Sequence, residues 1–116
     1  MAADTSRQLY VQRILGMYRL MPGTTGHIGR SDGHLAGSLH DRGIPLATVS
    51  AALLLAATRR IFRAGEPLSP IATLHYIRPV IDELLAQPAH PDYIHYLCDK
   101  LSPIVPDFVT AAHQLQ

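Results

Sequence analysis

The stretch Gly43-Ile44-Pro45-Leu46-Ala47-Thr48-Val49-Ser50-Ala51-Ala52-Leu53-Leu54-Leu55-Ala56-Ala57-Thr58-Arg59-Arg60-Ile61-Phe62-Arg63 decides the fold. Pro45 suits a first helical turn, where the N–H it lacks would have no partner anyway. From Leu46 to Ala57 the chain is apolar nearly all round, which marks a helix enclosed by others rather than one half in water. A buried central helix is therefore predicted over about residues 45–63. Arg59, Arg60 and Arg63 close it, where positive charge complements the helix dipole.

Working outward, Ser31 or Asp32 caps a short helix of about residues 32–42 that turns Leu35, Ala36 and Leu39 inward. Gly43 after it fits a left-handed C′ position. Upstream, Asp4, Thr5 and Ser6 offer N-caps for a helix of about 6–21, with Tyr10, Ile14, Met17, Tyr18 and Met21 at helical spacing. Pro22-Gly23 stops that helix, and the Gly-rich segment 22–31 is expected to be a flexible exposed loop. Downstream, Ser69-Pro70 predicts a helix start. Ile71, Leu74, Ile77, Ile81, Leu84 and Leu85 carry its period to about Ala86, with a kink at Pro79. Two more helices, about 91–101 and 106–115, follow proline breaks, with Tyr93, Ile94, Leu97, Cys98 and Leu101 on the apolar side of the first. No run alternates with period two and no internal repeat is visible. The prediction is an all-α protein, residues 1–116 forming one domain of five to six helices around the central one.

Composition narrows the function. The chain of 116 residues is 47% hydrophobic and only 16% charged, below the roughly 25% charged of an ordinary soluble domain. That supports a core and leaves surface for a partner. One cysteine excludes an internal disulfide framework and a multi-cysteine zinc site. No apolar run approaches the ~20 residues that span a bilayer. The first residues lack the basic-then-apolar layout of a signal peptide. The expectation is a cytoplasmic protein without a membrane partner.

Chemistry-bearing patterns are sparse. The Gly-rich loop lacks the Lys-Ser/Thr of a phosphate-cradling P-loop, and no strand precedes it. His95 with Cys98 or Asp99 could supply two metal ligands, where a stable zinc site needs three or four. Cys98 lies in an apolar stripe beside Asp99, the opposite of an activated thiol's surroundings. Asp82 and Glu83 are consecutive and face different ways on a helix. No enzyme activity, cofactor or metal is expected. Helix, Gly43 turn and helix match the layout of a helix-turn-helix, yet the first turns after Pro45 offer Leu46, Ala47, Thr48, Val49 and Ser50, poor readers of base edges.

Charge is unevenly spread. Residues 1–63 hold eight Arg against Asp4, Asp32 and Asp41, a net of +5, while residues 64–116 carry a net of −4. Arginine is suited to bidentate contacts with phosphate. Arg13, Arg19, Arg30, Arg59, Arg60 and Arg63 are the candidate contacts to nucleic-acid backbone, unless several arginines pair internally with Asp41, Asp82 or Glu83 or cap carbonyls. The alternative is a protein-interaction adaptor or inhibitor, for example one acting on a host defence complex, using the acidic half: Tyr76, Asp92, Tyr93, Tyr96 and Asp99. Tyrosines often anchor interfaces. Self-association into a homodimer is a third expectation for a chain with so few charges.

The run from Gly43-Ile44-Pro45-Leu46 through Arg59-Arg60, with Leu68-Ser69-Pro70-Ile71, Leu74-His75-Tyr76 and Pro79-Val80-Ile81-Asp82-Glu83-Leu84, resembles small proteins of bacterial phage and other mobile elements. More loosely, over about residues 31–85, it is similar to DnaD-type replication modules. The resemblance implies a helical module that binds DNA weakly or docks on replication proteins, as an accessory to replication or mobilisation.

Overall fold

A computed structural model describes the backbone of residues 2–115 and the side chains from Thr5 to Leu115. The apolar run fixes its centre: α3 (Leu46–Ile61) is buried continuously from Val49 to Thr58. Against it pack α1 (Ala2–Leu20), α4 (Arg78–Ala86), α5 (Pro91–Leu101), α6 (Pro106–Leu115) and the 3-10 turn at Leu74–Ile77 that leads into α4, while α2 (Arg30–Asp41) packs on α1 and that turn. No strand occurs among the described residues. The radius of gyration of 13.6 Å is that of a compact chain of this length, about 13 Å. None of the described helices is long and apolar enough to cross a membrane.

Local chemistry explains most boundaries. Gly43 takes φ +73° after α2. Its N–H donates to the His40 carbonyl at 2.9 Å and the Ile44 N–H to the Leu39 carbonyl at 3.0 Å, a Schellman close that only a left-handed residue makes without strain. Pro91 and Pro106 stand first in α5 and α6, and Pro79 falls in the first turn of α4. The Tyr10 hydroxyl donates to the Ile44 carbonyl at 2.6 Å, tying α1 to the turn after α2.

Four expectations need correction. Asp4, Thr5 and Ser6 lie within α1, which starts at Ala2. Gly29, not Ser31 or Asp32, is the N-cap of α2, and Asp32 is the third helical residue, bonded back to it. Ser69-Pro70 starts no helix. Ile71 instead pairs with the loop after α1, its N–H donating to the Gly23 carbonyl at 2.7 Å and its carbonyl accepting from the Thr25 N–H at 3.0 Å. Pro79 accordingly kinks nothing: the regular helix begins one residue before it, where a missing N–H is harmless. Ile71, Leu74, Ile77, Ile81 and Leu84 all still face the core, whereas Leu85 and Tyr93 turn to solvent.

Candidate anion-binding surface

Steps of four along α2 place Arg30, His34, Ser38 and Arg42 in one slowly winding row, and all four are exposed. Across from it, the 3-10 turn and the start of α4 present His75 and Arg78. Ser31, His34, Ser38, Arg42, His75 and Arg78 line a shallow basin of about 370 Å³, together with the buried Leu35. No carboxylate lines it. Arg30, Arg42 and Arg78 pair with no acid among the described residues.

Asp32 sets the two sides of the basin against each other. It is 1% exposed. One carboxylate oxygen accepts the Gly29 N–H and the other the Leu74 N–H, each at 2.8 Å. The carboxylate thus joins the start of α2 to the 3-10 turn that carries His75. A buried charge needs such donors to be tolerated. The nearby Tyr18 hydroxyl is buried with no hydrogen-bond partner among the described residues, and burial first, then the Asp32 charge, pushes its pKa up.

A second basin adjoins the first across His34, Ser38 and Arg42 and includes Arg7 and Asp41. Here the charge is balanced. Arg7 Nε donates to Asp41 at 3.1 Å, and the same carboxylate lies 3.2 Å from His40. Hydrogen bonds from Arg7 and then His40 hold the Asp41 carboxyl below the usual range.

The arginines singled out from sequence fall into three groups. Arg30 heads the row on α2. Arg13 and Arg19 are exposed on α1 but, six residues apart, point about 120° from each other. The cluster ending α3 is committed internally. Arg59 donates to both oxygens of Glu83, at 2.8 and 2.5 Å, and these bonds hold the Glu83 carboxyl below its usual range. Arg60 donates to the carbonyls of Leu68 and Ser69 and lies 5.9 Å from the Tyr76 ring centre. Arg63 donates to the Glu66 carbonyl at 2.6 Å. Sequence reasoning passed over Arg78, His34 and His75, and it noted Arg42 beside the short helix without choosing it as a contact. The period-four spacing of His34, Ser38 and Arg42 was a usable signal, whereas nothing local joins Arg78 to them.

On the acidic half, Tyr93 and Tyr96 stack at 6.1 Å, and Lys100 lies 4.2 Å from the Phe62 ring centre and 5.8 Å from that of Tyr96. Asp92 and Asp99 accompany them on α5, 3.6 Å from His90 and 3.5 Å from His95 respectively. Tyr76 stands apart, beside Arg60. Cys98 is buried, and desolvation followed by the Asp99 charge raises its pKa, which leaves a poor nucleophile. No three His, Cys, Asp or Glu side chains among the described residues are placed to hold a metal ion.

Comparison with known protein families, curated proteins and solved structures finds no match to this chain.

Proposed function

We propose that this chain is a non-catalytic module that binds nucleic-acid backbone through the row on α2 and the facing Arg78. One observation carries the reading. Three unpaired arginines, two histidines and two serines share one surface, and no exposed acid lines the basin between them. Guanidinium groups free of carboxylates are available to phosphate, whereas Arg59 would have to leave Glu83 first. The contacts reach phosphates rather than base edges, so binding is indifferent to sequence. A backbone binder of this kind fits an accessory role in replication or mobilisation of a mobile element.

The test is fluorescence anisotropy with short single- and double-stranded DNA. Three phosphate contacts on duplex imply that affinity falls about 40-fold between about 50 and 200 mM salt, and one contact only about fourfold. Arg42→Gln with Arg78→Gln should flatten the salt dependence toward the second figure, while Arg60→Gln should leave it intact. No binding at the lowest salt, or equal losses from the two variants, would overturn the proposal.

A second reading rests on the exposed aromatic group of Phe62, Tyr93 and Tyr96 flanked by Asp92 and Asp99. Such a surface fits a basic protein partner or a second copy of the chain. Tyr93→Ala with Tyr96→Ala should then abolish complex formation in sedimentation or pull-down experiments without affecting DNA binding.

A further inference from the structure

Resting on that reading, we infer that the basin between α2 and the start of α4 is an end-binding site: it takes the terminal phosphate of a nucleic-acid strand, and Arg30 holds an internal one. The donors line one basin, bounded by α2 on one side and by the 3-10 turn and the start of α4 on the other. Arg42 and Arg78 can each offer a pair of N–H groups, His34 and His75 one ring N–H each, and Ser31 and Ser38 a hydroxyl each. An internal phosphodiester has two free oxygens and a single negative charge. A terminal phosphate has three free oxygens and about −1.5 to −2 charge at neutral pH, and so uses more of this set.

The surroundings agree with a strand that stops here. A volume of about 370 Å³ holds a phosphate with its sugar but is too small for a duplex. Beyond Arg42 the next basin contains Asp41, so a strand continuing across α2 would bring its next phosphate toward a carboxylate. In the other direction Arg30 lies twelve residues from Arg42, about 18 Å along the helix axis. A strand can therefore enter at Arg30 and end between Arg42 and Arg78.

The experiment compares three labelled single strands of one sequence on the full chain near neutral pH: one with a 5′-phosphate, one with a 3′-phosphate, and one with hydroxyls at both ends. One phosphorylated strand should bind about tenfold or more tighter than the hydroxyl strand, and which one identifies the end recognised. Arg78→Gln and, separately, His75→Gln should reduce that preference, and inorganic phosphate should compete for it. Both side chains are exposed, so circular dichroism of the variants should be unchanged. Equal binding of all three strands would overturn the end-binding site and leave backbone binding standing. Failure of every strand to bind would overturn both. A preference that survives Arg78→Gln unchanged would place the terminal phosphate elsewhere.

Discussion

Replacing Asp32 tests the physical argument for the basin's construction. Its two carboxylate oxygens accept two backbone N–H groups 42 residues apart in the case of Leu74 and three in the case of Gly29. In Asp32→Asn the shape is kept, but only one oxygen remains and an NH2 group is turned toward the other donor. Leu74 is wholly buried, so its N–H, or the amide facing it, loses its partner without access to water. Leaving a buried donor unpaired costs about 1–3 kcal/mol, and a hydrogen bond to a charged group is worth about 1.5–3 kcal/mol. Relief of the carboxylate's own desolvation offsets part of the loss. The net expectation is about 2 kcal/mol for Asp32→Asn and about 3 kcal/mol for Asp32→Ala, which also opens a gap. Urea unfolding followed by circular dichroism reads this directly. With a slope of about 1–1.5 kcal/mol per molar, the Asn variant should unfold at a midpoint about 1.3–2 M lower. An Asn variant as stable as the wild type would refute the reasoning, because shape alone would then explain the residue.

Other side chains give sharper single readouts. Tyr18→Phe removes a buried hydroxyl that finds no partner among the described residues, so stability should hold or rise by about 1 kcal/mol; a loss of that size would reveal a partner. Burial raises the Tyr10 pKa from 10.0 to about 12. A raised folded pKa means that the stabilisation is complete below the ordinary tyrosine pKa and disappears as pH climbs through about 12. Tyr10→Phe should remove the latest phenolate absorbance change from an alkaline titration. The Glu83 carboxyl is held low by Arg59, so its contribution is present at neutral pH and is lost as pH falls through that depressed value. Arg59→Gln should return Glu83 to the ordinary carboxylate range in an NMR titration. Cys98 should react with a thiol reagent only as fast as the protein opens, and at once in denaturant.

The helices were legible wherever one local pattern dominated. The run 46–57, apolar nearly all round, announced a central helix because it offers no wide polar face, and Gly43 announced its turn because a left-handed position all but demands glycine. The segment 69–78 was misread for a physical reason. Ile71, Leu74, Ile77 and Ile81 keep helical spacing and do point inward, but Ile71 satisfies its backbone on Gly23 and Thr25, a partner nearly fifty residues away that no window contains. Asp32 looked like a cap and is one in effect, since it bonds the Gly29 N–H. Its second bond, to Leu74, depends on the tertiary fold and leaves no trace in the sequence.

The same distinction explains why the arginines sort as they do. Arg59, Arg60 and Arg63 end a helix, where orphan carbonyls and the returning chain lie within reach of a long side chain. The fold uses two of them to hold the carbonyls of Glu66, Leu68 and Ser69 and the third to join α3 to α4. Clustering in sequence therefore predicts internal use better than it predicts a ligand site. Arg42 and Arg78 lie in halves of opposite net charge and meet only because Asp32 brings the 3-10 turn to α2. Three acids are taken elsewhere, Asp32 by backbone N–H groups, Asp41 by Arg7 and His40 and Glu83 by Arg59, and Asp82, one turn after Arg78 on α4, pairs with neither arginine. Two guanidinium groups that line one basin and pair with no acid among the described residues lack a countercharge, and that is what a bound phosphate would supply.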